Sequence, residues 1–306
     1  MPENNIIKQQ ELGFLQSWLL AIRPKTLTAS VSPVLLTYAF ISHMQTQKPS
    51  IAILFTTLFC ALLMQIGTNL VNDYFDGIEG IDTKDRLGPT RVVASGILPA
   101  RRVRFGYQIC FFLSFLIGIY LMILGGLPII LIGISSLLAA YAYTGGPFPL
   151  SRIGMGELLA FIFFGPVACI GTAILLGYAD LQKVFLLSIP MGFWSAALMS
   201  VNNLRDFHND KSVNKTTVAT LLGEKSARFF TLILLLSPFA FQIFLIQFLK
   251  LHWSLAFALF ALIPLINELG RILKDPISSE FNLTLAQTGK SLTIYTLINV
   301  IIYMVL

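Results

Sequence analysis

The stretch QIGTNLVNDYFDGIEGIDTKD (65–85) begins inside a long apolar run and ends in a polar loop. Its polar residues recur at a spacing that places five side chains on one face of a helix: Gln65, Asn69, Asn72, Asp73 and Asp76. Such a stripe at the mouth of a membrane helix is costly to bury without a partner. Because hard divalent cations prefer oxygen ligands, the stripe predicts a metal ion that carries a phosphate group with it.

The composition around this stretch is that of a membrane protein. The chain has 306 residues, of which 56% are hydrophobic and 12% charged, whereas about a quarter of the residues of a soluble domain are charged. A net charge of +6 could indicate nucleic-acid binding, but the basic residues lie in loops between apolar runs. Membrane topology therefore explains the charge, and no nucleic acid is expected. The three cysteines fall in apolar runs and are interpreted as small buried hydrophobic residues.

Apolar runs long enough to cross a bilayer predict an all-α polytopic protein with nine transmembrane helices around a central cavity. The predicted spans lie at about 18–41 (with a kink at Pro33), 51–73, 103–124, 127–143, 158–176, 184–204, 229–249, 252–269 and 292–306. Residues 1–306 are expected to form a single domain, with acidic loops at about 72–102 and 205–228. The polar segment 1–16 lacks the features of a signal peptide and is expected to form a short interfacial helix.

The distribution of basic residues predicts the orientation. With the N-terminus inside, nine spans place 18 of the 21 Lys and Arg residues on the inner side and only Lys48, Lys183 and Lys250 on the outer side. By the positive-inside rule, the N-terminus and both acidic loops are cytoplasmic and the C-terminus is outside the cytoplasmic (inner) membrane.

A second acidic segment, NNLRDFHNDKSVNKTTVATLLGEK (202–225), follows the sixth span. Asn202, Asp206 and Asp210 are spaced four residues apart, and Asn203 is also compatible with the same face. Helix capping does not explain these acids, because negative charge at a helix C-terminus opposes the macrodipole. The two segments are four spans apart, so they open on the same side and predict two facing bundles that share a cavity.

Basic residues accompany both acidic segments: Lys84, Arg86 and Arg91 follow the first, and Arg205, Lys211 and Lys215 lie within the second. Carboxylates that hold Mg²⁺, with Arg and Lys around them, suit a metal-bridged diphosphate.

NDYFD (72–76) with the later Asp82, and DFHND (206–210), resemble the two Asp-rich motifs of the UbiA superfamily of membrane prenyltransferases. Longer strings resemble its 1,4-dihydroxy-2-naphthoate polyprenyltransferase branch: RPKTLTASVSPVLL (23–36), QIGTNLVNDYFD (65–76), RLGPTRVVASG (86–96), YTGGPFPL (143–150) and NNLRD (202–206). The resemblance covers nearly the whole chain.

The resemblance implies a Mg²⁺ site, with two ions that bridge the diphosphate. The implied metal ligands are Asn72, Asp73, Asp76, Asp82, Asp206 and Asp210, of which Asp73, Asp76, Asp206 and Asp210 are the catalytic acids. The implied diphosphate-binding residues are Asn72, Arg86, Arg91 and Lys215. Gly80 stands where the superfamily often has an acid, so Asp82 or Glu79 has to supply that oxygen. Asn214 stands where a glycine is common, and Asn tolerates the left-handed conformation of such a turn.

The implied reaction transfers a polyprenyl chain from an allylic polyprenyl diphosphate to 1,4-dihydroxy-2-naphthoate, with loss of CO₂ and diphosphate, to give demethylmenaquinol for menaquinone synthesis. Arg23 and Lys25 are candidates for the acceptor's carboxylate, and Tyr143 with Tyr141 for the cation site. His208 lies off the face of the motif acids. Two alternatives remain open at this point: a 4-hydroxybenzoate polyprenyltransferase, and a membrane transporter in which the acid stripes form the transport site.

Overall fold

The computed structural model describes residues 13–82 and 86–306, and this part of the chain is helical apart from loops and one isolated bridge between Ile153 and Thr216. Its helices, numbered α1 to α11 in chain order, are Phe14–Ile22, Thr28–Met44, Ile51–Ile78, Ala100–Ala142, Gly156–Leu175, Leu181–Arg205, Phe207–Ser212, Val218–Leu222, Glu224–Phe248, Trp253–Lys274 and Phe281–Val305. The predicted all-α architecture is confirmed. Lys84 and most of the predicted N-terminal interfacial helix lie outside the described residues.

Seven of the described helices are long and apolar enough to cross a membrane, and the bent pair α1–α2 raises the number to eight. Helix α4 has 43 residues and is interrupted at Gly126, whose φ of 64° and ψ of −154° are not helical. The sequence predicts a turn between two spans at this glycine, which adopts positive φ without steric cost. The predicted number of nine spans is nevertheless not confirmed by the count of seven or eight.

Helices α1 and α2 meet at a bend of 49°. Arg23 lies at this bend with a φ of 56°, and a short 3₁₀ turn, Pro24–Thr26, follows it. The sequence predicts one span over 18–41 with a kink at Pro33, but the bend precedes this proline and α2 continues through it. The left-handed conformation at Arg23 is what ends α1, because it cannot continue a right-handed helix.

Helices α5 and α6 approach each other closely. A Cβ atom on Gly165 would lie 2.8 Å from the Cα atom of Gly192, so only glycine fits at this contact. Small residues allow such approaches between membrane helices. The contact brings the first turn of α5 against the end of α6, where Glu157 accepts a hydrogen bond from Asn203.

Helix α11 begins at Phe281, well before the predicted start at Leu292. Its first turns carry polar residues that suggested a loop, but these residues are buried against other helices. Thr284 and Thr288 are fully buried, and Thr284 Oγ1 donates to Glu268 of α10 at 2.6 Å. Intramolecular hydrogen bonds thus allow polar residues to begin a membrane helix.

A polar network also joins α9, α10 and α11 within the apolar core. Gln242 Nε2 donates to the carbonyl of Leu255 at 3.1 Å and to Asn299 Oδ1 at 3.0 Å, and Gln242 Oε1 accepts from Tyr295. Asn299 Nδ2 donates to the carbonyl of Tyr295 at 2.9 Å. Gln242 is 3% exposed, so the network is buried away from water. The Gln242 side chain therefore satisfies the hydrogen bonds of these groups.

Gln242→Leu is expected to destabilise the fold by about 2–4 kcal/mol, because it leaves a buried tyrosine hydroxyl and asparagine oxygen without partners. The melting temperature of the detergent-solubilised protein measures the effect. Gln247→Leu is the matched control, since Gln247 lies on the same helix and is exposed. Equal melting temperatures for the two variants would contradict the stabilising role of the network.

Candidate active site

A cavity of about 620 Å³ lies between the helices. Its polar end is formed by Asn72, Asp82, Arg86, Arg91, Asp206, Asp210 and Lys215. Its apolar part is formed by residues that include Met64, Phe115, Leu121, Ile129, Phe163, Phe164 and Leu175. One cavity therefore joins the two predicted motifs to an apolar space inside the helix bundle.

Four residues of the polar stripe of α3 divide into two pairs with different contacts, and the fifth, Gln65, donates to Asn69 Oδ1 at 3.2 Å. The first pair has structural partners: Asn69 Nδ2 donates to the carbonyl of Ile22 at 2.8 Å and thereby holds the bend between α1 and α2. The Asp73 carboxylate accepts from the backbone N–H groups of Val92 and Val93 at 3.3 and 3.0 Å. Both oxygens of Asp73 are thus used to anchor the loop before α4, and the metal role predicted for Asp73 stays a prediction.

The second pair, Asn72 and Asp76, carries oxygens without such partners. Asn72 Oδ1 and Asp76 Oδ1 are buried and accept no hydrogen bond from the described residues. Arg152 Nη2 lies 4.0 Å from Asp76 Oδ1. These two oxygens are the unpartnered part of the stripe; Asn72 lines the cavity, whereas Asp76 is not among its lining residues.

Gly80 turns the chain back after α3, and its φ of 69° is strained for a residue with a side chain. The N–H groups of Ile81 and Asp82 then donate to the carbonyl of Asp76 at 3.0 and 3.4 Å. Of the two acids that the sequence left open, Asp82 lines the cavity, whereas Glu79 pairs with Arg152. Asp82 is therefore the acid of the two that lies at the cavity, and its role as a metal ligand stays a prediction.

Arg86 connects the two motifs. Its Nε lies 3.1 Å from Asp82 Oδ1 and its Nη2 lies 3.1 Å from Asp206 Oδ2. Arg91 Nε lies 3.3 Å from the other oxygen of Asp82. Burial raises the pKa of Asp82 to about 6, and Arg86 opposes this shift. The predicted meeting of the two acidic segments on one side of the bundle is confirmed by these contacts.

Asp206 follows the last residue of α6 and is held by two guanidinium groups. Arg205 donates to both of its oxygens at 2.8 and 2.6 Å, in addition to the contact from Arg86. Burial alone would raise the pKa of Asp206, but these two arginines outweigh it and the pKa lies below its ordinary value. Arg205 itself is 1% exposed. The sequence places Arg205 among the cations that suit a diphosphate, whereas in the structure it is the buried partner of Asp206.

Asp210 has one free oxygen. Its Oδ1 lies 3.8 Å from Lys215 Nζ, and its buried Oδ2 accepts no hydrogen bond from the described residues. Burial raises the pKa of Asp210 to about 6, Lys215 opposes the shift, and the nearby charges of Asp206 and Asp76 add to it. Asn214 adopts the left-handed conformation predicted for it, with a φ of 53°, and turns Lys215 back towards the acid.

The residues predicted to bind the aromatic acceptor also reach the cavity. Arg23, Lys25 and Tyr143 line it, and Arg23 Nη2 lies 3.8 Å from Asp73. Tyr141 is 40% exposed and packs against Phe75 instead.

His208, which the sequence places off the motif face, is exposed. The sequence analysis overlooked Glu157, although an acid at the start of an apolar run is a signal for a functional residue.

The unpartnered oxygens of the two motifs suit Mg²⁺. Asn72 Oδ1, Asp76 Oδ1 and Asp210 Oδ2 are hard oxygen donors that are buried without hydrogen-bond partners in the described chain. Among the described residues no group of three His, Cys, Asp or Glu side chains is preassembled for a metal. Cations alternate with the acids instead, which suits a site that binds a metal together with an anion.

Comparison with known proteins places this geometry in a family. The profile of the UbiA prenyltransferase family matches residues 30–282. The chain is 30% identical over 304 residues to the 1,4-dihydroxy-2-naphthoate octaprenyltransferase of Escherichia coli, covering 93% of this chain and 94% of the relative. It is 34% identical over 215 residues to the protein of the same name from Mycobacterium tuberculosis, covering 69% and 71%.

The fold matches a solved UbiA homologue from Archaeoglobus fulgidus, determined bound to DMAPP and Mg²⁺, with a TM-score of 0.64 and 13% identity over 95% of this chain and 99% of that one. The sequence match and the fold agree with the paired acidic motifs and the cavity between them. The chain therefore belongs to the UbiA prenyltransferase family.

Proposed function

We propose that this protein transfers a polyprenyl chain from an allylic polyprenyl diphosphate to 1,4-dihydroxy-2-naphthoate, with release of CO₂ and diphosphate. The product is demethylmenaquinol, a step in menaquinone synthesis. The observation that carries the proposal is the single cavity with acids and cations at one end and apolar walls along the rest. The names of the relatives from Escherichia coli and Mycobacterium tuberculosis support the choice of acceptor.

Mg²⁺ is the proposed cofactor, with two ions that bridge the diphosphate. The unpartnered oxygens that would hold it belong to Asn72 and Asp76 of the first motif and Asp210 of the second. Asp82 and Asp206 add two further carboxylates at the polar end of the cavity. When bound, Mg²⁺ supplies positive charge that stabilises the leaving diphosphate. The Mg²⁺ and DMAPP of the Archaeoglobus homologue support this assignment.

Arg86, Arg91 and Lys215 are the proposed ligands of the diphosphate. All three line the polar end, and Arg91 Nη1 is buried without a hydrogen-bond partner in the described chain. Guanidinium groups neutralise the charge that grows on the diphosphate oxygens as the bond to the allylic carbon breaks. The apolar walls exclude water from the allylic cation until the aromatic carbon attacks it.

Arg23 and Lys25 are proposed to bind the acceptor's carboxylate. Arg23 Nη2 is buried and donates no hydrogen bond to the described residues, so it is available for an anion. Tyr143 lines the same cavity as Arg23 and is close enough to Glu157, Asp76 and Asp210 to be influenced by their charges. This arrangement would place the ring beside the allylic carbon, with the carboxylate turned towards the cations.

The proposed topology puts both acidic loops and the N-terminus on the cytoplasmic side of the inner membrane. The ring centroids of Phe40 and Tyr303 lie 5.5 Å apart, so the end of α11 packs beside the end of α2 that is remote from Arg23. This packing supports a C-terminus on the side opposite the acidic loops.

An acceptor assay tests the function. The purified protein, Mg²⁺ and octaprenyl diphosphate are incubated with 1,4-dihydroxy-2-naphthoate or with 4-hydroxybenzoate. Prenylated naphthol with an equal amount of CO₂ is expected only with the naphthoate, and EDTA should abolish the reaction until Mg²⁺ is restored. Prenylation of 4-hydroxybenzoate alone would assign the other acceptor, and no product with either, from folded protein, would reject the proposal.

Gly118→Leu is expected to select against long donors. A Cβ atom at Gly118 would have only Met122 Cε within 4 Å, at 3.9 Å, so a leucine can enter the apolar part of the cavity without a clash. Filling this space should lower kcat/KM for octaprenyl diphosphate about 10-fold and leave geranyl diphosphate nearly unaffected. The exposed Gly270→Leu is the matched control. An equal loss with both donors would show that the long chain does not pass Gly118.

A further inference from the structure

Glu157 is a buried carboxyl group outside the proposed diphosphate site and, unlike the buried Glu268, it has no ion pair among the described residues. Glu157, in the first turn of α5, is 4% exposed. Its Oε1 accepts from Asn203 Nδ2 at 3.0 Å, whereas its Oε2 has no hydrogen-bond partner among the described residues. Glu157 forms no ion pair with the described residues. Burying a carboxyl group with so few partners is costly, and a place at a helix N-terminus offsets only a small part of that cost.

The contact with Glu157 determines how the Asn203 amide is oriented. An asparagine amide has a donating and an accepting end, and the hydrogen-bond network decides which end faces which way. Because the carboxyl oxygen takes the Nδ2 end, Oδ1 must face away from Glu157. Asn203 lines the cavity, and no described residue donates to its Oδ1.

Tyr143 adds a second accepting oxygen to the same wall. A Cβ atom on Gly156 would lie 3.2 Å from Tyr143 Oη and 3.7 Å from Asn203 Nδ2, so the missing side chain lets both groups meet at this wall. The hydroxyl of Tyr143 donates to Met199 Sδ at 3.3 Å, which leaves its oxygen lone pairs for another donor. The wall therefore offers two hydrogen-bond acceptors, and it would recognise a ligand that donates through O–H groups.

We propose that Glu157 is a positioning residue for the aromatic acceptor: it holds the Asn203 amide so that Oδ1 accepts a hydrogen bond from a ring hydroxyl. This inference rests on the proposed function, since it assigns one wall of that site to the hydroxyl edge of the ring. It gives the acceptor two separate points of recognition, with Arg23 at the carboxylate and Asn203 at a hydroxyl.

Direct binding of naphthoates tests the role of Glu157 without turnover. Intrinsic fluorescence gives the Kd of 1,4-dihydroxy-2-naphthoate, 1-hydroxy-2-naphthoate and 4-hydroxy-2-naphthoate. In the wild type, loss of the hydroxyl that faces Asn203 should weaken binding about 10-fold. In Glu157→Gln the side-chain amide can present either its oxygen or its nitrogen to Asn203, so the orientation of the Asn203 amide is no longer fixed. Loss of the same ring hydroxyl should then weaken binding less than about 3-fold. The Kd for a prenyl diphosphate with Mg²⁺ should stay unchanged.

Two further variants keep the test decisive. Asn203→Ala removes the accepting oxygen itself and should abolish the same preference, which covers the case in which Glu157→Gln does not fold. Glu280→Gln is the matched control, because Glu280 is exposed at the start of α11. An unchanged preference in folded Glu157→Gln, or in Asn203→Ala, would overturn the inference. Wild-type protein that binds naphthoates but does not prenylate them would reject the proposed function alone.

Discussion

Replacement of Asp76 by asparagine is expected to lower kcat/KM at least about 10³-fold while the protein stays folded. Asp76 is 1% exposed, and its Oδ1 accepts no hydrogen bond from the described residues, so folding makes little use of it. Asparagine keeps the shape of the side chain but removes the negative charge that favours Mg²⁺. The prenyl-transfer rate measures the loss of activity. The rise in melting temperature on addition of Mg²⁺ and a prenyl diphosphate measures the loss of binding.

Asp210→Asn is expected to have the same effect, because its Oδ2 is the unpartnered oxygen on the other side of the cavity. Asp275→Asn is the matched control, since its side chain is 52% exposed at the end of α10. Near wild-type turnover of Asp76→Asn at saturating Mg²⁺ would show that the metal is held elsewhere.

Asp73→Ala is expected to act through the fold instead. The substitution leaves the N–H groups of Val92 and Val93 without acceptors and should lower stability by about 2–5 kcal/mol. The melting temperature without Mg²⁺ should fall, and limited proteolysis should cut the loop near Arg91 faster. Activity should fall as well, because that loop carries Arg91 to the cavity.

The comparison of Asp73→Ala with Asp76→Asn separates the two roles that the structure gives to neighbouring acids. Without Mg²⁺, only Asp73→Ala should melt at a lower temperature. With Mg²⁺ and a prenyl diphosphate, Asp73→Ala should retain part of the stabilisation that Asp76→Asn loses. The same behaviour in both assays would mean that the two carboxylates share one function.

The sequence was sufficient to predict that the two motifs meet, because apolar spans and the positive-inside rule constrain where loops lie. Helical periodicity could not divide the α3 stripe into structural and ligand-binding residues. Asn69 and Asp73 differ from Asn72 and Asp76 only in what other segments bring to them, and those partners are remote in the chain. For the same reason the role of Arg205 beside Asp206 depends on burial that spacing does not reveal.

Element boundaries were least predictable where polar side chains are satisfied inside the protein. The start of α11 was missed because Thr284 and Thr288 are typical of a loop until Glu268 and the helix backbone are seen to accept from them. The sequence shows that Gly80 stands where the superfamily often has an acid. The positive φ of Gly80 was needed to show how the chain turns back and brings Asp82 to the cavity.

Helix α3 has 28 residues, and it is therefore about 42 Å long, compared with about 30 Å for the hydrocarbon core of a bilayer. With Ile51 at one edge of the hydrocarbon and the helix along the bilayer normal, the segment Asn72–Asp76 would lie beyond the other edge, near the depth of the lipid phosphates. A donor bound there keeps its charged group and its tail at the depths they already have in a leaflet. Transfer removes the charged diphosphate and leaves a neutral quinol ring, so the product is held near the surface less strongly than the donor. Partition towards the bilayer midplane then follows from the chemistry itself and draws the quinol away from the site.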